Sequence, residues 1–352
     1  MFQNKIFNKK LLVLFMLSFF CLPAIAVDEN NYDKEIDKVY KHFFKKYEEK
    51  FFTGEDGIEI AYAEKVIPEK NPHDSSRNAI VILPGRTEGY IKYIELAYDL
   101  RKLKDQSQKK FNIYLMDHRG QGFSGRLLED GHKGHVIEFD NYVEDLYSFI
   151  NSIVLPNNDS VSIIGRSMGG AIAAQLMEQY PDLVERAVLS APMFQINTYP
   201  YTEDQALGAV SYYTSIGFGN EYFPGQGPRV TGTFEESIVT SSEARWYNYE
   251  FTILGEEGLY PGTSVGGPTN LWGMQAILAT KAMRANASSL VSKILIFQAQ
   301  MDYLVINPAQ NAFCEAAPNC ELIVFEGAKH EILNESDSIR DKALAKIKDF
   351  IK

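Results

Sequence analysis

The chain has 352 residues, 45% of them hydrophobic, with 35 Lys+Arg against 46 Asp+Glu and a net charge of -11. That acidity excludes nucleic acid as a partner and gives no general polybasic attraction to anionic lipid headgroups, so any membrane contact must rest on apolar surface. With only three cysteines, a disulfide here is a local clip rather than a scaffold.

Lys5, Lys9 and Lys10 precede the 12-residue apolar run Leu11–Leu22, followed by Pro23 and Ala24-Ile25-Ala26. This pattern predicts a secretory signal peptide over residues 1–26, cleaved after Ala26, and a secreted or periplasmic protein. The run falls well short of the roughly 20 residues of a bilayer-spanning helix. Phe19 and Phe20 stand where a lipoprotein site before Cys21 would need small residues. Cleavage removes three lysines and no acid, leaving 32 basic residues against 46 acidic ones, a net charge of -14.

Residues 27–56 read as an N-terminal amphipathic helical segment. Ile36, Val39, Tyr40, Phe43, Phe44, Tyr47 and Phe51 follow helical spacing, with Lys41, Lys45, Lys46 and Lys50 mostly elsewhere on the wheel. The segment either docks on the domain or lies on a membrane surface, where it would give a peripheral contact.

From Gly57 onward, apolar runs at Ala79–Leu83, Phe111–Met116, Val161–Ile164, Arg186–Leu189, Ile294–Gln298 and Leu322–Phe325 alternate with helical patterns. The alternation predicts βα crossovers and an α/β fold, a mostly parallel central sheet with helices on both faces. Residues 57–193 and 291–352 form its two parts. Between them, residues 194–290 are rich in Tyr, Gly and Pro and read as a cap over the carboxyl edge of the sheet, where open α/β folds bind ligands.

Strand Val161–Ile164 runs through Gly165-Arg166-Ser167-Met168-Gly169-Gly170 into a helical pattern. This is G-x-S-x-G in the strand-turn-helix setting it requires, with Ser167 as candidate nucleophile at a helix N-terminus. A serine hydroxyl needs a base, and among six histidines only His330 lies between the last strand and the last helix. The loop after the preceding strand supplies Asp302 to orient it, with Asp337 as the fallback acid. Two N–H groups would hold the oxyanion: that of Met168, and that of Arg86 in the loop Pro84-Gly85-Arg86-Thr87-Glu88. His132 and His135 lack a third ligand at sensible spacing, and Gly85–Gly89 lacks the lysine of a phosphate loop, so neither a metal nor an organic cofactor is implied.

In the cap, the aromatic residues, Trp246 and Trp272 among them, are candidates to line a substrate pocket. Arg86 is a candidate substrate contact if its side chain faces that pocket. Cys314 and Cys320 bracket Ala317-Pro318 and are predicted to pair.

The segments Pro84-Gly85-Arg86-Thr87-Glu88, Met116-Asp117-His118-Arg119-Gly120-Gln121-Gly122-Phe123-Ser124-Gly125, Gly165–Gly170 and Gly327-Ala328-Lys329-His330-Glu331-Ile332-Leu333 resemble the monoglyceride-lipase-like α/β-hydrolases. The cap segments Pro224–Pro228 and Val265–Thr269, and Pro84 where most monoglyceride lipases have His, are most similar to the bacterial lysophospholipases within that group. The resemblance implies the α/β-hydrolase fold, catalysis by Ser167, Asp302 and His330, oxyanion donors at Arg86 and Met168, and a single-chain lipid ester as substrate, its acyl chain along the cap aromatics and, in a lysophospholipid, its headgroup phosphate at Arg86. A carboxylesterase or thioesterase on small soluble esters is the rival enzyme, and a non-catalytic binding member of the fold the rival from another class.

Overall fold

The computed structural model describes residues 26–68 and 77–352. Residues 1–25 of the expected signal peptide lie outside that range.

Eight strands form one open sheet: β1 Glu48–Thr53, β2 Glu59–Lys65, β3 Asn78–Leu83, β4 Asn112–Met116, β5 Ser160–Arg166, β6 Arg186–Ser190, β7 Lys293–Ala299 and β8 Cys320–Phe325. Their order is β1-β2-β4-β3-β5-β6-β7-β8, antiparallel at β1/β2 and β2/β4 and parallel from β4 to β8. All six apolar runs coincide with the parallel strands. Their side chains alternate between two cores, as the two-residue period of a strand dictates. Val81, Leu83, Ile163 and Ile296 pack on one face, and Ile80, Ile82, Ile164 and Leu295 on the other.

The first core is covered by α3 Asp140–Phe149, α4 Met168–Gln179, α7 Asn270–Asn286 and α8 Asn307–Ala316. The second is covered by α1 Tyr32–Lys46, α2 Ile94–Leu100 and α9 Asp337–Ile351. Helix α1 buries Tyr32, Ile36, Val39, Tyr40 and Phe43 in that second core and leaves Phe44 52% exposed.

Two boundaries differ from the sequence reading. The helix of residues 27–56 ends at Lys46, and Glu48–Thr53 is edge strand β1, with Phe51 on it and 55% exposed. An edge strand buried on neither face carries no two-residue period, so Phe51 fell into step with the helix before it. The cap is also shorter than 194–290. Helix α7 places Trp272, Ala276 and Met283 in the main core beside Met168 and Ala171, so it is a layer of the hydrolase body. What remains above the sheet includes α5 Glu203–Tyr213, α6 Glu243–Tyr247 and the loops between them. Cys314 on α8 and Cys320 at the start of β8 are joined, with Cα atoms 5.2 Å apart.

Candidate active site

The turn from β5 into α4 sets Ser167 at φ 50°, ψ -114°, a left-handed conformation that costs a non-glycine residue about 1–3 kcal/mol. The flanking glycines allow it. A Cβ on Gly165 would lie 2.7 Å from the Gly169 carbonyl oxygen, and one on Gly169 would lie 2.4 Å from that of Pro84. Gly169 therefore brings the elbow into backbone contact with the loop after β3. The Ser167 N–H donates to the Ser190 carbonyl (2.9 Å), which fixes the turn to β6.

Three loops at the carboxyl ends of β5, β7 and β8 bring Ser167, Asp302 and His330 together. His330 Nε2 lies 3.0 Å from Ser167 Oγ, and Nδ1 lies 2.6 Å from Asp302 Oδ2. Asp302 Oδ1 accepts from the N–H groups of Leu304 (2.9 Å) and Val305 (3.2 Å). Burial opposes ionisation of Asp302, but the His330 ring and these two N–H groups outweigh it and hold the carboxyl below its usual range. Burial, aided by the Arg166 guanidinium, lowers the pKa of His330 against the pull of Asp302. The imidazole is thus neutral near pH 7 and free to accept a proton. Asp337, the fallback acid, is engaged elsewhere: it accepts from Arg245 (2.8 Å) and from the Glu29 N–H (2.7 Å).

The loop 84–88 is pinned from several sides. His118 Nε2 bonds the Pro84 carbonyl (3.0 Å), and Glu88 Oε2 accepts from the Gly85 N–H (2.9 Å). Gln121 donates to the carbonyls of Gly85 and Glu88 (both 2.9 Å) and accepts from the Thr87 N–H (3.1 Å). Each of these bonds uses a backbone group other than the Arg86 N–H. The Met168 N–H, on the first residue of α4, has no acceptor four residues back within the helix. Neither the Arg86 N–H nor the Met168 N–H is taken up by these bonds.

Beneath this arrangement lies a charged quartet that sequence reasoning missed. Arg166, one residue before Ser167, reaches Glu88 (2.8 Å) and Glu331 (3.3 Å), the residue after His330. Lys92 sits 2.6 Å from both carboxylates. All four side chains are at most 8% exposed. Burial alone would raise the pKa of Glu88, but Arg166 and Lys92 drive it far below the usual carboxylate range. The quartet ties the oxyanion loop, the elbow and the histidine loop to one another. Its members stand inside or beside the motif segments, and that adjacency was the only signal available.

The proposed substrate contacts fare differently. Trp272 is buried in the main core, its Nε1–H donating to Tyr142 Oη (3.2 Å). Trp246 is buried among Phe234, Tyr247 and Phe251. Both indoles are thus used in packing, Trp272 in the main core and Trp246 in the cap's own aromatic cluster. The Arg86 guanidinium donates to the Gly266 carbonyl (2.9 Å) and lies 5.4 Å from the Trp272 ring centre. It fastens the oxyanion loop to the cap junction rather than reaching for a headgroup, and burial lowers its pKa to about 10. His135 bonds Thr269 Oγ1 (2.9 Å) at the same junction.

A sheet of this order, with a serine on a strained elbow at the carboxyl end of its fifth strand, defines an α/β-hydrolase. The family model described as serine aminopeptidase S33 matches residues 74–217 and 261–337, and the chain belongs to that family. The unmatched interval falls within the cap. Lysophospholipase L2 of Escherichia coli (strain K12) is 35% identical over 318 residues, 88% of this chain and 88% of that one. Monoglyceride lipase of Rattus norvegicus is 22% identical over 286 residues, 80% and 84% of the two chains. The crystal structure of a soluble variant of monoglyceride lipase from Saccharomyces cerevisiae in complex with a substrate analog has a TM-score of 0.64 at 16% identity. It covers 87% of this chain and 94% of that one, a likeness of fold.

Proposed function

We propose that this chain hydrolyses the acyl ester of single-chain lipids, lysophospholipids or monoacylglycerols, through an acyl-enzyme on Ser167. The observation that carries the reading is the unbroken hydrogen-bonded relay from Ser167 through His330 to Asp302, in a chain 35% identical to a lysophospholipase. His330 Nε2 takes the Ser167 proton as Oγ attacks the ester carbonyl. The N–H groups of Met168 and Arg86 receive the oxyanion. His330 then returns the proton to the departing glycerol oxygen, and the acyl group stays on Ser167. Water, deprotonated by the same imidazole, releases the fatty acid and restores the serine. Asp302 keeps the proton on Nδ1, so that Nε2 faces the hydroxyl as an acceptor.

A second reading, an esterase of small soluble esters, is favoured by the packing of Trp246 and Trp272 away from an acyl-lining role. One experiment separates the two. A fluorophosphonate should label wild type and leave Ser167→Ala unlabelled. On a panel of acyl esters, kcat/KM should rise with chain length, since each buried methylene contributes about 0.8 kcal/mol. Acetyl and butyryl esters turned over as fast as lauroyl ones would reject the lipid reading and keep the hydrolase. The export reading has its own test: N-terminal sequencing of protein recovered outside the cytoplasm should begin at Val27.

A further inference from the structure

At the edge of the sheet opposite the active site, cations gather with no anionic partner among the described residues. Lys65 ends β2 and pairs with Ile113 near the start of β4, whereas Ser167 follows the carboxyl end of β5. Lys65 Nζ lies 3.4 Å from His42 Nε2, near the end of α1, and 5.9 Å from the centre of the Tyr47 ring. The His42 ring stands edge-on to Tyr98 (5.3 Å) and to Tyr47 (6.4 Å). Just past α2, the Arg101 guanidinium lies 3.3 Å from the Tyr98 ring centre. Partial burial first, then the charges of Lys110, Arg101 and Lys46, lowers the pKa of Lys65 to about 8. The same burial, with Lys65, Arg101 and Lys46, lowers that of His42 to about 4. No salt bridge joins Lys46, Lys65, Arg101 or Lys110 to a carboxylate among the described residues.

A second observation points the same way. Tyr47 is only 8% exposed, yet its hydroxyl has no hydrogen-bond partner among the described residues. Burial raises the pKa of this hydroxyl and the Arg101 charge opposes the rise, which puts the hydroxyl within the field of the same cluster. A buried hydroxyl without a partner costs about 1–3 kcal/mol, and four cations with no salt bridge among the described residues repel one another. A tetrahedral oxyanion removes both costs. Its oxygens accept from the Lys65 ammonium, the Arg101 guanidinium and the Tyr47 hydroxyl, and Lys46 and Lys110 supply further positive charge.

We propose that the corner formed by His42, Tyr47, Lys65 and Arg101 binds a phosphate-class oxyanion, remote from Ser167. The chemistry is shared by free phosphate and by the phosphodiester of an anionic lipid headgroup. Inorganic phosphate titrated into the full chain, followed by calorimetry and by the Lys65 ε-resonances, should bind saturably. Lys65→Met and Arg101→Met should each weaken binding about tenfold or more, while hydrolysis of a short ester and the circular-dichroism melt stay as in wild type. To identify the source, vesicles of phosphatidylcholine alone are compared with vesicles containing phosphatidylglycerol. Binding that needs phosphatidylglycerol, is competed by phosphate and is lost in Lys65→Met assigns the headgroup. Phosphate binding with no vesicle binding assigns the soluble anion. Absence of saturable phosphate binding, or affinities in Lys65→Met and Arg101→Met equal to wild type, overturns the proposal.

Discussion

Asp302→Asn tests the relay most sharply, because the structure fixes which way the new amide must point. Asp302 Oδ1 accepts from the Leu304 and Val305 N–H groups, and Oδ2 faces His330 Nδ1 at 2.6 Å. The oxygen of the introduced amide must keep the first position, which puts its NH2 against Nδ1. Nδ1 then has to accept, the ring proton moves to Nε2, and Nε2 meets Ser167 Oγ as a donor with no lone pair for the hydroxyl proton. Reversing the amide turns an NH2 toward two N–H donors, at about 1–3 kcal/mol for each one left unsatisfied. The productive tautomer is therefore held to a small fraction, and kcat should fall roughly 10³–10⁴-fold, about 4–5.5 kcal/mol of barrier. The assay is steady-state hydrolysis of a chromogenic ester at pH 8, with the thermal melt as a control for folding. A variant that melts like wild type and retains kcat within tenfold would show that Asp302 does not hold the His330 tautomer.

Arg166→Met leaves Glu88 and Glu331 with only Lys92 between them, so we expect a stability loss of about 3–5 kcal/mol in denaturant unfolding. The same substitution removes a charge that lowers the pKa of His330, so the acid limb of kcat/KM should move to higher pH; an unmoved limb would sever the quartet from the base. Gly169→Ala drives a Cβ to 2.4 Å from the Pro84 carbonyl oxygen, backbone against backbone, and should cost about 1–3 kcal/mol or more in the melt together with most of the activity. Wild-type behaviour there would mean that the elbow and the oxyanion loop are not in contact. Arg86→Ala releases the Gly266 carbonyl and the Trp272 face, and should lower lysophospholipid and monoacylglycerol hydrolysis by similar factors. A loss confined to lysophospholipids would return Arg86 to the headgroup.

How much of this was legible depended on what burial does to a sequence. Ala79–Leu83 and Ile294–Gln298 are covered on both faces and read as unbroken apolar runs, so the parallel strands stood out. β1, exposed along Glu48-Glu49-Lys50, had no such signature, and neither did its neighbour β2, whose buried stretch includes the small residues Ala61 and Ala63. Ser167, Asp302 and His330 were legible because chain order and strand position leave few alternatives. Glu88, Lys92, Arg166 and Glu331 were not, because charged residues are usually solvated and nothing local marks four of them, up to 243 positions apart, as one buried cluster.

Burial, helped by one member of the quartet, Arg166, also keeps the base neutral where it is needed, against Asp302 and Glu331. Asp302 alone, 2.6 Å from His330, would raise the imidazole pKa. Burial works against that, and the Arg166 charge adds to burial, so the folded value lies below the ordinary 6.5. The sign for activity follows: the accepting form of Nε2 prevails near pH 7, and turnover is lost as pH falls through the lowered value. The sign for stability is the same, since unfolding frees His330 to bind a proton more readily. That contribution is full above the ordinary pKa and is lost as pH falls through the folded one. Arg166 exerts this effect from a position where Glu88 and Glu331 cancel its cost of burial, and those two carboxylates belong to the loops that carry Arg86 and His330. The charges that compensate Arg166 are therefore the same charges that hold the oxyanion loop and the histidine in register with Ser167.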